Sequence, residues 1–250
     1  MIGLQTYTVM SIMTDKESYE STMKKIRSIG YECVQLAGKV DSLKMAADAA
    51  RKADLTVIGF LGSIPDLDSS LSDIINIARE CGAEDIGVSG SAKTEEDALI
   101  LADRINSYAR IIRSEGFSFS YHNHSDEFIR MDCGKTIMDI LLEKIDFDYV
   151  DLMPDTYWLQ HGGIDIRDFI EKHSEHIKIL HLKDMKRTRE GVTFAELGVG
   201  NINMPGIVEL AQKQGFRHLI VEQDICEGDP IASIKQSFEH LQKITQGVNK

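Results

Sequence analysis

The stretch Glu115-Gly116-Phe117-Ser118-Phe119-Ser120-Tyr121-His122-Asn123-His124 contains one complete unit of the fold in miniature. It follows a segment with helical spacing at 95–114, and Gly116 falls where a left-handed C-cap is expected. From Phe117 the period changes to two. Phe117, Phe119 and Tyr121 then share one face of a strand, and Ser118, Ser120, His122 and His124 share the other. The aromatic face predicts packing on helices. The serines and imidazoles predict a barrel interior with polar groups at the C-terminal end of the strand.

The same alternation runs along the whole chain. Short apolar or β-branched runs at 2–8, 33–37, 55–61, 85–89, 117–122, 149–153, 177–182 and 218–222 read as buried strands. Helical spacing is found between and after them, at 16–29, 44–53, 71–81, 95–114, 136–144, 166–176, 205–214 and 231–245. Gly30, Gly82, Gly116 and Gly215 punctuate the helix ends. Eight units in 250 residues leave about 31 residues each, which suits a minimal α/β single-domain (β/α)8 TIM barrel spanning 1–250. A doubly wound sheet would more often show a Gly-rich phosphate loop after its first strand, where this chain has Tyr7-Thr8-Val9-Met10. One connection is long, at 185–204, and it contains Glu196-Leu197-Gly198-Val199-Gly200. Its length suggests a functional lid.

Composition narrows the function. Lys and Arg total 28 against 40 Asp and Glu, a net charge of −12, which argues against a nucleic-acid or anionic-membrane surface. No apolar run approaches the roughly 18 residues that span a bilayer, and residues 1–10 lack the basic and apolar regions of a signal peptide. The four cysteines are too far apart for a CxxC metal site or a disulfide framework. These features point to a soluble, cytoplasmic protein.

In such a barrel the chemistry sits at the C-terminal ends of the strands. All eight histidines lie beyond residue 121, so the first half supplies no imidazole. The fifth strand ends in His122 and His124, the sixth in Asp155, the seventh in His181 and Lys183, and the eighth in Glu222. Taken singly, a histidine at a strand end is often structural, and an aspartate there is often a helix N-cap. A glutamate inside an apolar strand is harder to explain without a partner, because an unpaired buried carboxylate is costly. Together they place one nitrogen or oxygen donor on each of four consecutive strands. Such an N/O set without thiolate suits one divalent metal ion, Mn²⁺, Co²⁺, Mg²⁺ or Zn²⁺.

Tyr121-His122-Asn123-His124 followed by Glu127-Phe128 resembles the YHNHxxEF signature of the xylose-isomerase-like sugar phosphate isomerase/epimerase family. Asp155-Thr156-Tyr157-Trp158 with Gly162-Gly163, His181-Leu182-Lys183-Asp184, Gly198-x-Gly200 and Glu222-x-Asp224 extend the resemblance over the whole chain. It implies a TIM barrel that binds one divalent cation and acts on a ketose, a keto sugar or a related polyol derivative. It also implies metal ligands Asp155, His181 and Glu222, matching three of the family's four positions. The fourth departs from the pattern: His122 stands where the sugar epimerases carry glutamate. Of the two glutamates with which those enzymes remove and return a proton, only Glu222 is present, which puts straightforward 3-epimerisation in doubt. The exchange leaves two formal negative charges instead of three, shifting metal preference from Mg²⁺ toward Mn²⁺, Co²⁺ or Zn²⁺.

The expected function is a metal-dependent sugar isomerase or epimerase that abstracts a proton next to a metal-polarised carbonyl. Glu222 or His124 would serve as base, and Lys183 would stabilise the enediolate oxygen. Tyr7, Gln35, Glu127, Trp158 and Glu196 are candidate substrate contacts. A lyase or hydrolase acting on a 3-keto-glycoside is the nearest rival, since an enediolate can also expel a β-substituent. An abasic-site nuclease needs more ligands and a basic groove, and a non-catalytic sugar-binding barrel would lose the metal. The partner expected is a small carbohydrate, not nucleic acid or membrane, and a homo-oligomer is compatible with this reading.

Overall fold

The computed structural model describes residues 1–247, so the last three residues of the expected 1–250 domain lie outside the described part. The strands are β1 (Ile2–Gln5), β2 (Cys33–Leu36), β3 (Thr56–Ser63), β4 (Asp85–Ser89), β5 (Ser118–His122), β6 (Asp151–Met153), β7 (Ile179–Leu182), β8 (Asp184–Arg187), β9 (Val192–Ala195) and β10 (His218–Val221). All but β8 and β9 form one sheet in the order β6-β5-β4-β3-β2-β1-β10-β7, every neighbouring pair parallel. Bridges Leu152↔Ile177 and Asp155↔His181 bring β6 against β7 and close the barrel. The expected single TIM barrel is thus the observed architecture.

The helices are α1 (Lys16–Ile29), α2 (Val40–Lys52), α3 (Ile64–Cys81), α4 (Glu95–Ser114), α5 (Ile137–Lys144), α6 (Thr156–His161), α7 (Ile166–His173), α8 (Met204–Gln214) and α9 (Pro230–Gly247). Local capping sets several starts: Asp15 with Ser18 opens α1, Thr94 with Asp97 opens α4, and Thr136 with Asp139 opens α5. Such caps also explain where the observed bounds depart from hydrophobic spacing. The helix expected at 71–81 starts at Ile64, because Ser63 and Asp66 form a capping box seven residues earlier, and the chain kinks at Ser70. The first strand stops at Gln5, whose side chain accepts from the Tyr7 N–H and turns the backbone into a 3-10 helix over Thr6–Ile12. Helix α6 is absent from the periodic reading; Asp155 caps it through the Trp158 N–H.

The main apolar core lies between the sheet and the helices. A second, smaller cluster of Cys33, Ile58, Met153, Ile179 and Ile220 fills the barrel interior. Gly3 has to be side-chain-free there, since a Cβ would come within 2.5 Å of Cys33 Sγ and 2.6 Å of Ile220 Cδ1. No described helix is long and apolar enough to cross a membrane.

At the start of β4, toward the opposite end of the barrel from His122 and His181, Asp85 is buried in the interior. Its Oδ1 accepts from Ser120 Oγ at 2.7 Å, while Oδ2 has no hydrogen-bond partner among the described residues. Burial pushes this carboxyl up to about 7, with Ser120 opposing only part of the effect. A folded-state value above the unfolded one makes the native state hold the proton. The stability it confers is therefore complete at low pH and is lost as pH rises from about 4 to 7. Asp85→Asn is expected to remove that loss, raising stability at pH 8 relative to wild type by about 2–4 kcal/mol and leaving pH 4 nearly unchanged. Denaturant titrations of both proteins at the two pH values check this, and equal wild-type and variant slopes with pH would refute it.

Candidate metal centre and active site

The strand ends bring four predicted ligands together. Ligand atoms of His122, Asp155, His181 and Glu222 all lie within 4.8 Å of one another, and all four residues are buried. The register explains the convergence. Asp155 bridges His181 across the closing seam, Ile220 pairs with His181, and the Glu222 N–H donates to Leu182 O at 3.1 Å. On β5, the pleat that turns Phe119 and Tyr121 into the helix-facing core turns Ser120 and His122 inward.

Asp155 uses its two oxygens for two purposes. Oδ1 accepts from the Trp158 N–H at 3.0 Å and caps α6, whereas Oδ2 makes no hydrogen bond and lies 3.0 Å from Lys183 Nζ. The N-cap and site readings of this residue therefore hold together. His122 Nδ1 is likewise buried without a partner. The His181 ring is oriented from behind. Gln35 Oε1, an acceptor only, lies 2.8 Å from His181 Nε2 and also accepts from Gln5 Nε2 at 2.8 Å. Nε2 therefore carries a proton. Nδ1 lies 2.7 Å from Glu222 Oε2. Protonated, it donates to that carboxylate; deprotonated, the two atoms are spaced as adjacent ligands of one ion. His122 Nδ1, which has no hydrogen-bond partner among the described residues, and Asp155 Oδ2, paired only with Lys183, complete a donor set of two imidazoles and two carboxylates, so the residues fit a divalent metal.

Lys183 follows His181 by two residues on the same face and is fully buried. Its Nζ lies 3.0 Å from Asp155, 3.2 Å from Glu222 and 2.6 Å from Asp224. Burial pushes the ammonium toward deprotonation, but the three carboxylates outweigh it and hold Lys183 charged, above its ordinary value. Burial raises Glu222, yet Lys183 and His181 overcome this and keep it well below the usual carboxylate range. Asp155 is less favoured: burial pushes it up to about 6, against the pull of Lys183. Burial also depresses His122 and His124, with His181 the next contribution to the first and Lys183 to the second, so both imidazoles are neutral with a lone pair available.

A cavity of about 480 Å³ opens over this cluster, with Tyr7, His122, His124, Lys183, Glu222 and Asp224 in its walls. The other expected substrate contacts lie elsewhere. Gln35 is beneath the cluster, bonded to His181. Glu127 is buried, accepts from Tyr121 Oη at 3.0 Å and from the His124 N–H at 3.1 Å, and so positions His124. Trp158 lies behind the wall, its ring 5.2 Å from that of His124 and 5.3 Å from Lys183 Nζ. Glu196 accepts from Ser233 Oγ at 2.7 Å, away from the cavity.

The long connection, expected as a lid, forms a hairpin, β8–β9, and none of residues 185–204 lines the cavity over the cluster. Its Phe194 ring stacks on Tyr157 at 4.4 Å and meets Trp158 at 5.8 Å. Asp184 anchors its return. The buried carboxylate accepts from the N–H groups of Met185, Gly198, Gly200 and Ile202. A Cβ at Gly200 would fall 2.2 Å from Asp184 Oδ1, so the Gly198-x-Gly200 motif serves this wrap.

Gln5, Asn123, Asp184 and Asp224 were not singled out by the sequence reading. Gln5 pairs in register with Gln35, so two glutamines at adjacent strand ends were a usable signal. Asn123 Oδ1 accepts from the Asp155 N–H at 3.1 Å, a contact between residues far apart in sequence that no local pattern announces.

With fold and site in place, comparison with known proteins is direct. Residues 23–244 match the family described as xylose isomerase-like TIM barrel, and the chain belongs to that family. An inosose dehydratase from Mesomycoplasma hyopneumoniae (strain 7448) is 25% identical over 170 residues, a match covering 60% of this chain and 56% of that protein. The chain thus aligns with little more than half the length of this curated relative. The crystal structure of a sugar phosphate isomerase/epimerase from Parabacteroides distasonis is similar with TM-score 0.81 and 24% identity, covering 97% of each chain. The structure of an L-ribulose 3-epimerase is similar with TM-score 0.75 and 15% identity, covering 99% of this chain and 95% of that one.

Gln35→Leu tests the orientation of His181. Removing the acceptor is expected to weaken Mn²⁺ binding about 10–100-fold while the circular dichroism spectrum stays that of the folded barrel. Unchanged affinity in a calorimetric titration would show that the ring does not depend on Gln35.

Proposed function

We propose that the protein is a divalent-metal-dependent sugar isomerase or epimerase that removes a proton adjacent to a polarised carbonyl. The observation that carries this reading is the convergence of His122, Asp155, His181 and Glu222 beneath a cavity whose walls also include Lys183 and His124. The four converging residues would hold the ion, whose bound form supplies Lewis-acid polarisation of a carbonyl and acidifies a bound water. Two imidazoles with two carboxylates favour Mn²⁺, Co²⁺ or Zn²⁺ over Mg²⁺.

Glu222, kept ionised by Lys183 and His181, is the base that takes the proton next to the carbonyl. The Lys183 ammonium, confined by Asp155 and Asp224, faces the oxygen on which charge develops. His124 is neutral, lines the same cavity and is held by Glu127, which suits it to return or relay a proton. Tyr7 offers an aromatic face to a sugar ring at the mouth.

A second reading has its own support. The epimerase pattern needs two glutamates and this chain has His122 in place of one, while its curated relative is named as a dehydratase. Elimination needs only one base and a departing β-substituent, so a lyase using the same residues is the alternative.

Metal analysis of the purified protein is expected to show about one divalent ion per chain, lost when His181 and Glu222 are both replaced by alanine. Incubation of the metal-loaded protein with ketoses and with a 3-keto-glycoside then separates the readings. Isomer formation supports the first, and an unsaturated product or released aglycone supports the second. Metal retained by the double variant would remove the basis of both.

A further inference from the structure

The cavity over the metal ligands is not isolated. A second cavity of about 530 Å³ lies between the start of α3 and the outer face of α4, and both cavities share Ser63, Ser89 and His124 in their walls. Either alone is within the usual range for a small-molecule site, and the two adjoin at these three residues. The walls of the second cavity include Pro65, Ile100 and Leu101, with hydroxyls from Ser89 and Ser91. Ile100 is an apolar side chain left 53% exposed on that face. Apolar surface edged by hydroxyls suits the C–H face and the hydroxyls of a sugar ring.

The cations lining these cavities are already paired. Lys39 Nζ lies 2.5 Å from Asp66 Oδ1, Lys183 is held by Asp155, Glu222 and Asp224, and Arg104 is paired with Asp68. Among the described residues lining the two cavities, these three are the lysines and arginines. Four carboxylates, Asp66, Glu222, Asp224 and Asp97, line the two cavities beside these three cations. A phosphate would have to share a cation with its present carboxylate partner and sit near these groups.

We infer that the substrate is an uncharged sugar carrying a second ring. The reacting ring lies over the metal ligands and the second ring lies between α3 and α4, so a sugar phosphate is a poor substrate. This rests on the proposed metal-dependent action on a keto sugar.

The test uses three ketoses that differ only at O6: D-fructose, D-fructose 6-phosphate and isomaltulose, which carries a neutral glucosyl ring there. Binding to the full-length, Mn²⁺-loaded protein is measured by calorimetry. Isomaltulose is expected to bind at least tenfold more tightly than fructose, and the 6-phosphate no more tightly than fructose. Ile100→Glu is expected to reduce the isomaltulose-to-fructose ratio by tenfold or more, and Asp66→Asn, which frees Lys39, to improve binding of the 6-phosphate. A tighter 6-phosphate in the wild type, no advantage for isomaltulose, or no binding by any of the three overturns the inference. In each case a protein that still binds its metal leaves the proposed centre standing. Loss of metal binding is the separate failure of the function itself.

Discussion

A lysine ammonium buried at the mouth of a barrel is tolerated only when opposite charge surrounds it, because the cost of dehydrating an isolated charge exceeds what packing returns. Lys183 meets that condition through Asp155, Glu222 and Asp224, contributed by the ends of two strands on either side of β7. Two of these carboxylates, Asp155 and Glu222, also converge with His122 and His181, so the arrangement that solvates the lysine also creates the donor set for a cation. With the lysine charged and all three carboxylates ionised, the cluster is anionic by two, which one divalent ion balances. Charge neutrality therefore links the structural group and the functional one.

Support for this cluster comes from behind and from the side. Gln5 and Gln35 fix the proton on His181, Asn123 ties the end of β5 to Asp155, and Glu127 holds the His124 backbone. The β8–β9 hairpin supplies an aromatic wall through Phe194, and Asp184 holds its return by accepting from several backbone N–H groups. Phe194 backs Tyr157 and Trp158, and the Trp158 and Phe194 rings flank Lys183. The two glycines of the Gly198-x-Gly200 motif serve this return: both donate their N–H to Asp184, Gly200 admits its carboxylate against the backbone and Gly198 admits the His240 ring.

Much of this was legible in the chain itself. Strand and helix alternation survives in the sequence because each buried strand needs its apolar side chains and each helix its spacing, whatever the loops do. The four candidate donors were visible because chemistry concentrates at strand ends, and the inward face of Ser120 and His122 follows from a period of two. Helix boundaries were less legible: Ser63 with Asp66 and Asp155 with Trp158 start helices by hydrogen bonds that apolar spacing does not record. The roles of Glu127, Gln35 and Glu196 were not legible at all. A polar residue near a strand end looks the same whether it faces substrate, a neighbouring side chain or a serine on another helix.

The sequence by itself determined the barrel, the strand ends that carry imidazole and carboxylate, and the departure from the epimerase pattern at His122, since these depend on local period and residue type. The closure of β6 on β7 and the seam Asp155↔His181 are tertiary facts. So are the sharing of Lys183 among three carboxylates and the joining of two cavities through His124. They depend on distances between residues far apart in sequence, as with Gln35 and His181 at a separation of 146. Only the packed barrel sets those distances.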